Sequence, residues 1–180
     1  MKGLVFTTFY RFVEDRFGPD LLDDAIDESG VPGGGAYTSV GTYPFDQMVA
    51  LVVATVKLTG IAMPTIMEEF GEFCFGSWVS YAPAEFEGKD LFDVLANIDE
   101  FHETEVRRLY PDAELPSFTV ASRSDDRLVL EYRSCKPLAD LAAGVIRGAS
   151  KHLARPVTVS HAPAQGAGGP FVRFEIARAA

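Results

Sequence analysis

The sequence predicts an α+β domain, with a helical amino-terminal subdomain followed by a small antiparallel four-stranded sheet with flanking helices. Two observations predict it. Helix starts and stops recur from residue 4 to residue 109 with no alternating run among them, and after Ser117 the apolar period drops to two.

The elements follow in order. Leu4 to Phe17 reads as a helix ended by Gly18-Pro19, and Asp20 to Ser29 as a second whose acidic residues form a solvated face. Gly30 to Gly41, with Pro32 and three consecutive glycines, is a loop. No strand precedes Gly33-Gly34-Gly35 and no Lys-Ser/Thr follows, so it is a flexible connection and not a phosphate cradle. Pro44 opens a helix through Thr59 and Pro64 the next, to about Trp78; Lys89 to Leu109 is a fifth. Ser117 to Arg123 and Arg127 to Arg133 alternate around Ser124-Asp125-Asp126 as a hairpin. Pro137 starts a helix through His152, and strands near Val157 to His161 and Phe171 to Ala177 flank a loop from Gln165 to Pro170.

Composition narrows the function classes. The 180 residues suffice for one domain or two closely packed subdomains, and 47% hydrophobic content with 14 Phe supplies a core. Sixteen basic against 26 acidic residues, a net charge of -10, argue against nucleic acid and anionic membrane surfaces as partners. No apolar run approaches the roughly 20 residues of a membrane span and the start lacks a signal-peptide core, so a cytoplasmic location is expected. Cys74 and Cys135 form neither a disulfide framework nor zinc spacing. Ser134 and Cys135 have no histidine or carboxylate at a telling distance, which predicts a protein without catalysis.

One residue of the fifth helix is out of character. Leu91, Leu95, Ile98, Val106 and Leu109 make an apolar stripe, and His102 fills its gap, so an imidazole points inward. Burying it without a partner costs on the order of 1 to 3 kcal/mol, which calls for a buried acceptor, a metal or a cofactor iron. A satisfied core histidine and a ligand both fit the pattern. Thirty residues on comes Tyr132-Arg133-Ser134-Cys135-Lys136. If extended, it turns Tyr132, Ser134 and Lys136 to one face, either a seat for a carboxylate or phosphate or a solvated strand face. Glu103 and Glu105 should face solvent, His152 should sit at a helix end, and His161 should be surface without chemical partners.

Four ordered blocks carry a resemblance: the start Met1-Lys2-Gly3 with its Phe-rich helix, I-D-E-F-H-E-T-E-V-R-R-L-Y-P at 98 to 111, L-P-S-F at 115 to 118, and Y-R-S-C-K at 132 to 136. Together they resemble the heme-nitric oxide/oxygen binding family, H-NOX, over nearly the whole chain. The resemblance implies a single domain, 1–180, with a helical distal subdomain over 1–62 and a proximal subdomain over 63–180. It implies that His102 is the protein ligand to the iron of heme b and that Tyr132 and Ser134 hold the propionates as in the family's Y-x-S-x-R motif. Lys136 stands where the family has arginine, keeping one charge but losing the fork that grips a carboxylate bidentately. Pro116 matches a proline that presses on the porphyrin.

Val5, Phe9, Cys74, Leu141 and Val145 match positions lining the distal pocket. None donates a strong hydrogen bond, which favours nitric oxide and carbon monoxide over dioxygen, although Tyr10 or Trp78 could reach in. The family's mode of action implies that ligand binding trans to His102 relaxes the porphyrin against Pro116 and signals to a separate bacterial partner, a histidine kinase, diguanylate cyclase or chemotaxis receptor. Gly71 and Gly144, costly inside helices, point to close packing or a hinge, with packing the favoured of the two. The Lys136 departure also keeps open a heme-free relative of the fold that binds another small ligand or a protein.

Overall fold

A computed structural model describes residues 1–80 and 86–179. The chain divides into two compact units, Met1–Phe70 and Gly71–Ala180, with the boundary inside a helix.

The first unit is helical. It holds α1 (Gly3–Phe17), α2 (Pro19–Ser29), a 3-10 turn (Pro32–Gly35), α3 (Phe45–Thr59) and the start of α4 (Met63–Val79). These boundaries follow the local signals: Pro19 opens α2, and Gly30 and Gly60 close α2 and α3 in the left-handed conformation, where a Cβ would be strained. Phe6, Phe9, Val13, Leu51 and Ile66 are completely or almost completely buried. Phe9 meets Phe70 edge-on at 5.0 Å and Phe12 at 6.1 Å. The acidic residues Asp20, Asp23, Asp24, Asp27 and Glu28 of α2 are all exposed, as a solvated face requires.

The second unit packs helices against a four-stranded antiparallel sheet of order β1-β2-β4-β3, with β1 Ser117–Arg123, β2 Arg127–Arg133, β3 Val157–Gly166 and β4 Gly169–Arg178. Leu128, Leu130 and Tyr132 point from β2, and Phe174 and Ile176 from β4, into a core shared with Ala143, Ile146 and Ala149 of α8 (Ala139–His152). The β1–β2 hairpin has the expected boundaries and a bulge between Val120 and Ser122.

The last hairpin differs from expectation. Its strands run on to Gly166 and Gly169, leaving a two-residue connection in place of the loop from Gln165 to Pro170. The prolines in these strands are tolerated, since Pro163 lies on the edge strand β3 and Pro170 pairs only with Gln165, beyond the reach of β2. No single helix among the described residues is long and apolar enough to cross a membrane.

The expected helix from Lys89 to Leu109 is also broken. It consists of α5 (Leu91–Ala96), α6 (Ile98–Phe101), a π-helical turn (His102–Val106) and α7 (Arg107–Leu109). Asp90 caps α5 by accepting the Phe92 N–H at 2.9 Å. Asn97 ends it, its side-chain amide donating to the Asp93 carbonyl at 2.8 Å, a local bond that competes with the helix ladder. The π turn then rotates the chain, so Leu91 and Leu95 are buried but Leu109 is 65% exposed. The inward stripe is real only in its first half.

Candidate functional site

His102 opens the π turn, at the point where the helix changes its hydrogen-bond register. Such turns place a side chain where a regular helix would not. The ring is half-buried and its pKa is lowered: burial is the chief cause and outweighs Asp99, a backbone hydrogen bond with Pro116 and Glu103, which favour the protonated form. A neutral imidazole is the form that ligates a metal. Nδ1 is buried and has no hydrogen-bond partner among the described residues, which leaves a ring nitrogen open to a ligand.

Asp99 and Phe118 fix the surroundings of the imidazole. Asp99, one turn earlier, accepts the Phe118 N–H at 2.8 Å and so pins the start of β1 to the histidine segment. The Phe118 ring stands 6.3 Å from His102 and 5.0 Å from Tyr132, centroid to centroid. A continuous ring path therefore joins the imidazole to the tyrosine. Sequence reasoning gave neither residue a role; Asp99 at three residues before His102 was the available signal, because that spacing shares a helix face.

Tyr132 is buried within β2, and its hydroxyl keeps a side-chain hydrogen bond with Ser134. Burial pushes its pKa up, with the Ser134 bond opposing. The expected alternating row does not continue. β2 ends at Arg133, Ser134 is exposed, and its Oγ accepts the Lys136 N–H at 3.0 Å, curling the chain. The positive charge of Lys136 also opposes the rise in the Tyr132 pKa. Lys136 is 11% exposed, pairs with Glu114, and has Cys135 Sγ at 3.4 Å. Its hydrogen bond to Glu114 raises the lysine pKa and lowers that of the carboxyl.

Pro116 sits half-buried immediately before β1. On α8, Leu141 and Val145 are half-buried one turn apart. They flank the crossing with α4: a Cβ built on Gly71 would come within 2.2 Å of the Leu141 carbonyl oxygen and 2.8 Å of the Val145 nitrogen. Cys74, one turn further along α4, is fully buried, and burial raises its thiol pKa well above the usual range, keeping it neutral. In the other unit, Val5 is half-buried and Phe9 buried, one turn apart on α1.

Of the two polar candidates, the Tyr10 hydroxyl is committed to the Gly35 carbonyl at 2.9 Å, whereas the buried Trp78 Nε1 has no partner among the described residues. Glu103 and Glu105 face solvent and pair with Arg107 and Arg108. His152 is exposed at the end of α8 as expected. His161 differs from expectation. Its Nε2 lies 3.1 Å from Asp140 Oδ1 and its ring packs against Phe174, because β3 runs alongside the first turn of α8.

These residues fit a heme. A neutral imidazole with one unpartnered nitrogen among the described residues, a hydroxyl pair beside a largely buried lysine side chain, and apolar side chains suit respectively an iron, a propionate and a porphyrin face.

The haem-NO-binding family model matches residues 2–161. No curated protein matches the sequence. Among solved structures, the Fe(II) unliganded H-NOX protein from K. algicida is 30% identical, with a TM-score of 0.89, covering 100% of this chain and 97% of that one. A variant of the T. tengcongensis H-NOX, 22% identical, superposes at a TM-score of 0.87 over 100% and 98%. An oxygen-binding H-NOX domain related to soluble guanylate cyclases, also 22% identical, gives 0.81 over 100% and 96%, and both of these bear on the fold alone. The match over residues 2–161 and the fold shared with the K. algicida protein place this chain in the haem-NO-binding, or H-NOX, family of heme-binding gas sensors.

Proposed function

We propose that this protein is a gas sensor that binds nitric oxide, and carbon monoxide, at a ferrous heme b ligated by His102, and signals to a separate protein. One observation supports the reading: the half-buried, neutral His102 keeps a ring nitrogen without a partner among the described residues and is joined through Phe118 to the polar seat at Tyr132. When bound, heme supplies the iron at which a diatomic ligand is held.

The chain's own residues do the rest. His102 would supply the nitrogen that ligates the iron, Tyr132, Ser134 and Lys136 would hold the propionates, and Pro116 would bear on the porphyrin. Val5, Phe9, Cys74, Leu141 and Val145 give an apolar lining, with the protonated Cys74 thiol only a weak donor. Such a lining favours nitric oxide over dioxygen, whose bound form gains from a strong donor.

In this reading 1–62 is the distal part and 63–180 the proximal part of one sensor domain, which acts in the cytoplasm without catalysis. The receiver is a histidine kinase, a diguanylate cyclase or a chemotaxis receptor, since a coupling free energy must be read by a second protein.

The test is the visible absorption spectrum of protein supplied with heme, reduced anaerobically, then exposed to nitric oxide and separately to air. A Soret band that shifts with nitric oxide but not in air is expected. Absence of any Soret band after reconstitution overturns the heme reading and leaves a heme-free binding module of this fold, the alternative that Lys136 favours.

A further inference from the structure

The seat at the end of β2 already holds a carboxylate. Lys136 donates to Glu114, and that bond is the chief cause of the raised lysine pKa. The two partners are unlike: the lysine side chain is 11% exposed and the glutamate 70%. The ammonium is therefore built into the fold, while the carboxylate reaches it from the solvent side, on the segment between α7 and β1. Beside the lysine, Ser134 accepts the Lys136 backbone N–H and shares a hydrogen bond with Tyr132, so each polar group of the seat has a partner within the chain.

Resting on the heme reading above, we infer that Glu114 is a resident carboxylate that occupies the propionate seat and is displaced when a porphyrin carboxylate enters. A propionate and a glutamate side chain present the same group, so they compete for the single positive charge of one ammonium. Lysine makes this exchange easy, because its point charge holds a carboxylate without the bidentate geometry an arginine would impose.

Exchange also has a structural consequence. Glu114 lies two residues before Pro116 and one after Ala113, whose carbonyl accepts from Arg107 at 3.5 Å. Loss of the Glu114 anchor removes one of the contacts that hold the Ala113–Pro116 segment, leaving those to α7, to β1 and from Pro116 to His102. Propionate binding is thereby linked to the stretch that carries Pro116.

The experiment titrates apoprotein with hemin and with hemin dimethyl ester, whose carboxylates are blocked, for the unaltered chain and for Glu114→Gln. Removing an exposed competitor should tighten hemin binding about two- to five-fold, as expected for an ion pair at a largely open site. The ester should bind both proteins equally.

A Glu114→Gln variant with unchanged or weaker hemin affinity overturns the exchange, as does an equal gain with the ester, which would point to net charge. Circular dichroism of Glu114→Gln confirms that the fold is kept. If neither protein gives a saturable Soret band with hemin, the heme reading itself has failed and the exchange falls with it. That result is distinct from saturable binding with no difference between the variants.

Discussion

Gly71 of α4 lies against Gly144 of α8 so closely that a Cβ on Gly71 would stand 2.8 Å from the Gly144 Cα. The nearest atom to that Cβ would be backbone, the Leu141 carbonyl oxygen at 2.2 Å, which no rotamer change can move. Further along, Gly148 meets Phe75 and Glu72 in the same way, so the crossing depends on small residues on both helices. A Gly71→Ala substitution should therefore cost about 1 to 3 kcal/mol of stability from overpacking, although alanine is the better helix former by roughly 1 kcal/mol. Urea denaturation measures it; an unchanged or raised midpoint would mean the two helices can separate without loss.

His102→Ala removes the only imidazole that the heme reading assigns to iron. Heme retention should fall more than about tenfold, and millimolar free imidazole should restore the Soret band, because the vacated space admits a ring of the same shape. A variant that purifies with the unaltered spectrum would remove His102 from the ligand role.

Much of this was legible beforehand because it is local. Cap residues, prolines and the change of period placed α1 to α4 and the first hairpin within a residue or two of their observed ends. The failures have non-local or competing causes. Asn97 broke the histidine helix through a side-chain bond that periodicity does not register, and the π turn then exposed Leu109.

The site was legible in its residue types but not in its pairings. Tyr132 bonds Ser134, and Ser134 accepts the Lys136 N–H in a turn that takes the place of strand alternation. The bond from Phe118 to Asp99, the Lys136–Glu114 pair and the His161–Asp140 pair each join residues 19 or more positions apart, a distance at which sequence pattern carries no signal.

Asp90 couples the start of α5 to the end of β4. Burial pushes its carboxyl up, but Arg178, which donates to both oxygens at 2.9 Å, and the Phe92 N–H outweigh this, so the folded pKa lies below the ordinary value. The sign follows: a depressed carboxyl stabilises the fold above its unfolded pKa of roughly 4, and the contribution is lost as pH falls through the lower folded value. Asp90→Asn keeps a capping side chain but not the charge, and should lose about 1 kcal/mol at pH 7. The difference from the unaltered chain should shrink at about pH 3. Denaturant midpoints at the two pH values decide it, and a difference independent of pH would assign the effect to packing.

Trp78, the single tryptophan of the chain, offers a donor that the apolar lining otherwise lacks. It lies one helical turn after Cys74 on the same face of α4, and its buried Nε1 has no partner among the described residues. An indole N–H left unsatisfied costs on the order of 1 to 3 kcal/mol, so Trp78→Phe should leave the heme-free protein equally stable or more so in thermal melts. In heme-loaded, reduced protein under carbon monoxide, a donor near the ligand lowers the C–O stretching frequency, and Trp78→Phe should therefore raise it. A raised frequency would weaken the preference for nitric oxide over dioxygen, since the same N–H would favour both polar ligands. An unshifted infrared band, in a variant that retains its Soret band, would leave the lining apolar and the preference intact.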